Sequence, residues 1–78
     1  MIFDKLVEIM IEKLGVEPQE INLDTSFKED LAVDSLDMYD LITALEDEFN
    51  IELPEERTAD IYAVGDLIRL LKELGVED

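Results

Sequence analysis

The side chains able to do chemistry gather on one short stretch, where Ser35 sits between Asp34 and Asp37, with Asp40 three residues further on. A serine hydroxyl is a weak nucleophile until a neighbouring His or Lys takes its proton. The chain has no His among its 78 residues, and no Lys lies close to Ser35 along it. Ser35 therefore cannot activate itself, but it can accept a group transferred by another enzyme. A phosphodiester suits the position, because the stretch opens a helix whose dipole and spare N–H donors favour an anion, although Asp34 and Asp37 oppose it. The plainer role for such a hydroxyl is a helix cap.

Other chemistries are poorly provided for. Without Cys there is no disulfide framework, thiolate zinc site or thiol nucleophile, and without His the commonest general base and metal ligand is missing. Asp34, Asp37 and Asp40 follow helical spacing, and no calcium loop of the D-x-[DN]-x-[DN]-G type is present, so no dedicated metal site is expected. A carboxylate pair for hydrolysis needs an enclosed cleft and a raised pKa, for which a chain this short has little room. The expectation is that the chain is not an enzyme.

Ser35 has to be held by elements that the apolar pattern outlines. Phe3, Leu6, Val7, Met10 and Leu14 recur at helical spacing before Gly15 and Pro18, predicting a first helix over about residues 3–14. Residues 16–33 form a long loop with apolar pegs at Ile21, Leu23, Phe27 and Leu31. The second helix runs from Asp34-Ser35 to Phe49 and stops at Asn50. Pro54 reads as a breaker, and Thr58 as the cap of a short turn through Ala59, Ile61 and Tyr62. Val64, Leu67, Ile68, Leu71 and Leu74 mark a last helix over 64–74, with Gly75 just beyond it. The fold class is all-α: a small four-helix bundle of three longer helices and one short one, with a long first loop. Residues 1–78 read as one domain.

The second helix shows what it offers a partner. Met38, Leu41, Ile42, Leu45 and Phe49 share the sector that must face the core. Leu36, Asp40, Thr43 and Asp47 form a stripe on the other side, so Leu36 is an exposed leucine among acids. A basic partner can bury Leu36 while pairing with Asp37, Asp40 and Asp47.

Six basic and 22 acidic side chains give a formal charge of −16. Such a chain repels nucleic acid and anionic membranes and is steered towards basic proteins. It is not a disordered acidic tail, because Leu, Ile, Val and Phe supply 28 of 78 residues, above the ~20% below which chains stay unfolded. The N-terminus has no targeting pattern and no apolar run spans a bilayer, so a cytoplasmic, monomeric protein is expected.

In extended form the pattern resembles the acyl carrier proteins of fatty-acid type. It carries Phe27, Asp30-Leu31, Asp34-Ser35-Leu36-Asp37, Leu41, Ala44-Leu45-Glu46, Glu48-Phe49, Leu53-Pro54, Ile61 and Val64 in the family's order, across nearly the whole chain. The resemblance implies that Ser35, flanked by Asp34 and Leu36, takes 4′-phosphopantetheine from coenzyme A through a phosphopantetheinyl transferase. It implies that the arm's thiol then carries acyl groups to the enzymes of fatty-acid synthesis. It also implies that the exposed stripe, with Leu36, Asp37, Asp40, Thr43 and Asp47, meets basic surfaces on those partners. Acyl chains in the family fold back between helices, for which Leu45, Phe49, Ala59 and Ile61 are the expected lining. A polyketide, aminoacyl or D-alanyl carrier, and an unmodified acidic adaptor, are the alternatives. The chain departs from the pattern at Ala32, where many members have Gly, and at Tyr39, Thr43 and Tyr62-Ala63.

Overall fold

In the computed structural model, which describes residues 1–78, helix α1 spans Ile2–Leu14 and ends where Gly15 turns left-handed at φ 69°, its N–H donating to the Ile11 carbonyl. Glycine pays no Cβ penalty in that conformation. The face that α1 buries is Ile2, Leu6, Ile9 and Met10, with Phe3, Val7 and Leu14 at its margin. The expected stripe is thus displaced by one residue towards Ile2 and Ile9. Helix α2 spans Ser35–Phe49 and stops at Asn50, which is left-handed at φ 56°. Helix α4 spans Val64–Glu73 and buries Val64, Leu67, Ile68, Leu70 and Leu71. Fifteen apolar side chains drawn from these helices and from the loops form one core, and α1 packs directly on α2.

The short helix differs from its sequence expectation. Helix α3 is Glu55–Thr58, so Thr58 is its last residue and not its cap. Pro54 acts as a starter: its fixed φ of −59° suits the residue before the first turn, and Glu55 and Glu56 follow at the end where acids are favoured. The Thr58 hydroxyl donates back to the Glu55 carbonyl at 3.0 Å. Residues Ala59 to Ala63 lie outside any helix.

The long connection is built, not slack. Pro18 opens a 3-10 turn over Pro18–Glu20 rather than merely stopping α1. Thr25 and Ser26 are buried, yet both are satisfied: the Thr25 hydroxyl donates to the Glu20 carbonyl at 3.0 Å and accepts the Asn22 N–H at 2.9 Å. Ser26 donates its N–H to the Asp30 carboxylate at 2.7 Å and accepts the Glu29 N–H at 3.0 Å. Val33 then folds back, donating its N–H to the Phe27 carbonyl at 2.8 Å. One isolated antiparallel bridge, Ser26 to Ala63, joins this loop to the start of α4, where Val64 and Gly65 donate to the carbonyls of Thr25 and Leu23, both at 2.9 Å. Buried polar groups with partners cost little, whereas orphaned ones would be expensive. No buried side-chain polar atom lacks a partner.

Candidate functional site

Ser35 occupies the first turn of α2, and the cap there belongs to its neighbour. The Asp34 carboxylate accepts the Asp37 N–H at 2.9 Å, and the Asp37 carboxylate accepts the Asp34 N–H at 3.3 Å, a reciprocal pair that closes the helix start. The capping role open to Ser35 from sequence is therefore taken by Asp34. The Ser35 hydroxyl is exposed and enters no hydrogen bond within the chain. Ala32, three residues earlier, adopts φ 55° on the approach to this turn, a left-handed conformation that costs a Cβ-bearing residue. Glycine would meet no such cost, which gives a physical reason for the Gly of many family members.

Ser35 borders an open groove of about 770 Å³ between α2, the long loop and the α3 region. Phe27, Val33, Met38, Ile42, Leu53 and Ile61 give it an apolar lining. Asp34, Tyr39, Thr43, Glu46, Glu55, Thr58, Ala59, Tyr62 and Lys28 complete it. Of the four side chains grouped as an acyl lining from sequence, Ala59 and Ile61 border the groove and the other two do not. Leu45 is fully buried in the main core and Phe49 packs against that core. The apolar sector of α2 has two parts: Leu41 and Leu45 are fully buried in the core, while Met38 and Ile42, half-buried, pack against the core and also border the groove. A helical wheel gives the sector but not which neighbour covers each half, so it places Met38 and Ile42 correctly against the core without showing that they border the groove.

The stripe on α2 has the exposure its spacing requires. Leu36 is 76% exposed, Asp40, Thr43 and Asp47 are exposed, and Asp37 is half-buried by its part in the cap. Thr43 also borders the groove, so the stripe and the groove share an edge. Tyr39 and Tyr62 are exposed aromatics on the groove. The Tyr62 hydroxyl donates to the Glu29 carboxylate, and this bond to an anion pushes its pKa above the usual 10.0. At the start of α4 the Asp66 carboxylate accepts the N–H groups of Ala63 at 2.9 Å and Tyr62 at 3.1 Å, which hold its pKa below 3.8. No cluster of three or more acidic, His or Cys side chains is arranged to hold a metal ion. No helix is long and apolar enough to cross a membrane.

A family model described as the phosphopantetheine attachment site matches residues 4–71. The chain belongs to the acyl carrier protein family. The acyl carrier protein of Wolinella succinogenes is 45% identical over 71 residues, covering 91% of this chain and 93% of its own length. That of Clostridium acetobutylicum is 43% identical over 72 residues, covering 92% and 94% respectively. The crystal structure of an acyl carrier protein from Thermotoga maritima superposes with a TM-score of 0.82 at 36% identity, covering 94% of this chain and 85% of the other. The all-helical architecture and the phosphopantetheine cofactor thus stand as family properties of this chain.

Proposed function

We propose that this member of the acyl carrier protein family carries intermediates of fatty-acid synthesis as thioesters, on a 4′-phosphopantetheine arm attached through Ser35 Oγ. The observation that carries the reading is the free Ser35 hydroxyl, exposed on the first turn of α2 at the edge of an apolar groove, its capping duty taken by Asp34. The arm supplies a terminal thiol, which this cysteine-free chain lacks. Ser35 gives up its proton to a base on the transferase, since no His is available in the chain. Its Oγ bonds to the phosphorus of coenzyme A that bears the pantetheine, as the pyrophosphate linkage breaks and adenosine 3′,5′-bisphosphate leaves. The backbone at the start of α2 offers N–H donors to the phosphodiester oxygens.

The rest of the molecule serves presentation rather than catalysis. Leu36 and the carboxylates of Asp37, Asp40 and Asp47 meet basic surfaces of the transferase and the synthesis enzymes, with Thr43 at the same face. Exposed charges of this kind act mainly on the rate of encounter and on partner choice. Ala59 and Ile61, with Met38 and Ile42 on the same groove, shelter the acyl chain from water. Residues 1–78 act as one acyl carrier domain, monomeric and cytoplasmic.

The strong overall acidity and the Ala44-Leu45-Glu46 to Glu48-Phe49 segment favour the fatty-acid cargo over specialised ones. The test is reconstitution of the loaded chain with fatty-acid synthesis enzymes and malonyl donors. The expected result is a ladder of lengthening acyl thioesters on the chain by intact mass. Loading only by an aminoacyl or D-alanyl ligase, with no elongation, would contradict it.

A further inference from the structure

Four of the six basic side chains are committed to carboxylates: Lys5 to Glu48, Arg57 to Glu73, Arg69 to Asp66 and Lys72 to Asp78. Lys13 and Lys28 have no such partner. For Lys28 this requires explanation in a chain of 22 carboxylates, two of which follow it directly in sequence. Neither carboxylate comes within ion-pair distance of it, and each accepts another donor instead. Glu29 accepts the Tyr62 hydroxyl, and Asp30 accepts the Ser26 N–H at 2.7 Å. Lys28 is left as an unpaired ammonium, and it borders the same groove as Ser35 and Asp34.

The anion that this groove edge would have to receive is a phosphodiester, which keeps its single charge at every physiological pH. Asp34 and Asp37 make that charge costly, since both carboxylates stand at the same helix start. Backbone donors offset part of the cost, because the N–H groups of Ser35 and Leu36 have no acceptor in the chain. An unpaired lysine on the border of the groove can offset more of it, since lysine binds phosphate as a point charge with three donors. We infer that Lys28 is the charge partner of the phosphodiester carried on Ser35, and that it directs the arm across the groove rather than away from it. The inference rests on the Ser35 attachment proposed above. It also gives Lys28, which lies seven positions before Ser35 in sequence, a role that local spacing does not show.

The side-chain ammonium resonances of the labelled wild-type chain test this before and after loading with coenzyme A and excess transferase, with loading confirmed by intact mass. The Lys28 nitrogen signal is expected to move on loading, and the move to shrink in salt of several hundred millimolar, where the Debye length falls to about 3–5 Å. Lys13 is the internal control, since it is equally unpaired but does not border the groove; its signal should stay. A second readout is the change in melting temperature on loading at low salt. It should be more favourable by roughly 2 °C in the wild type and Lys28→Arg than in Lys28→Met. A single mass addition with an unmoved Lys28 signal and equal temperature changes in all three forms would overturn the inference and leave the attachment standing. No mass addition on the folded wild type would overturn the attachment and, with it, the inference.

Discussion

Helices α2 and α4 begin with the same device and use it for different ends. In each, an Asp at the third helical position reaches back to the N–H of the cap residue: Asp37 to Asp34 at 3.3 Å, Asp66 to Ala63 at 2.9 Å. The start of α4 is further tied to the long loop. Val64 and Gly65 donate to loop carbonyls, a Cβ on Gly65 would come within 3.0 Å of the Leu23 carbonyl oxygen, and five of the ten helical residues are buried. At α2 the residue after the cap is Ser35, whose hydroxyl has no partner, and only Leu41 and Leu45 of its fifteen residues are buried. One helix start is an anchor and the other a display. A cap made by neighbours satisfies the helix and leaves the hydroxyl between them free to be modified.

The largest expected effect sets the anchoring face of α4 against the displayed face of α2. Leu67→Ala removes a fully buried side chain and should cost about 2–5 kcal/mol in urea unfolding. Leu36→Ala, at a site 76% exposed, should cost no more than about 0.5 kcal/mol while weakening partner binding. Equal destabilisation by the two would abolish the distinction between the faces. Within the start of α2 the contrast is between cap and hydroxyl. Asp34→Ala should cost about 1 kcal/mol, and Ser35→Ala less than about 0.5 kcal/mol, in the same unfolding experiment. The reverse order would show that Ser35 does the capping.

Much of this arrangement is legible in the sequence, and the misses have physical causes. The limits of the three longer helices follow from apolar spacing and from Gly15, Asn50 and Gly75, and differ from expectation by a residue at most. The short helix was misplaced because a proline is ambiguous: Pro54 can end a segment or start one, and Glu55 and Glu56 at the favoured pole decided it. Thr25 and Ser26 gave no sign of burial, since their partners are backbone groups brought close by the folded loop. Leu36 and the acidic stripe could be read from a helical wheel, and Ser35 from its place at the helix start and the motif around it. The groove could not, because Phe27, Met38, Ile42 and Tyr62 reach it from separate elements.

The two smaller effects refine the contrast. The N–H groups of Ala63 and Tyr62 hold the Asp66 carboxyl below its ordinary value. A carboxyl whose folded pKa lies below the unfolded one, about 3.9, stabilises the protein above that pH and loses its contribution as pH falls through the folded value. Asp66→Ala should therefore destabilise the protein at pH 7, by less than about 1 kcal/mol because water screens this partly exposed carboxylate, with the gap to the wild type narrowing below about pH 4. A gap as wide at pH 3 as at pH 7 would mean that charge is not how Asp66 acts. On the approach to α2, Ala32→Gly should raise stability by about 0.5 kcal/mol, because it relieves a left-handed alanine at φ 55°. A loss would show that the flexibility gained by the unfolded chain outweighs the strain.

The central claim is that Ser35 is displayed for modification. It is tested most directly by intact mass after incubating the purified chain and Ser35→Ala with coenzyme A and a promiscuous phosphopantetheinyl transferase. The account requires one added phosphopantetheine on the wild type and none on the variant. A wild type that is folded, unmodified at the outset and still unchanged would contradict it, and would leave an acidic helical adaptor as the better description. Addition to the variant would place the attachment at another residue.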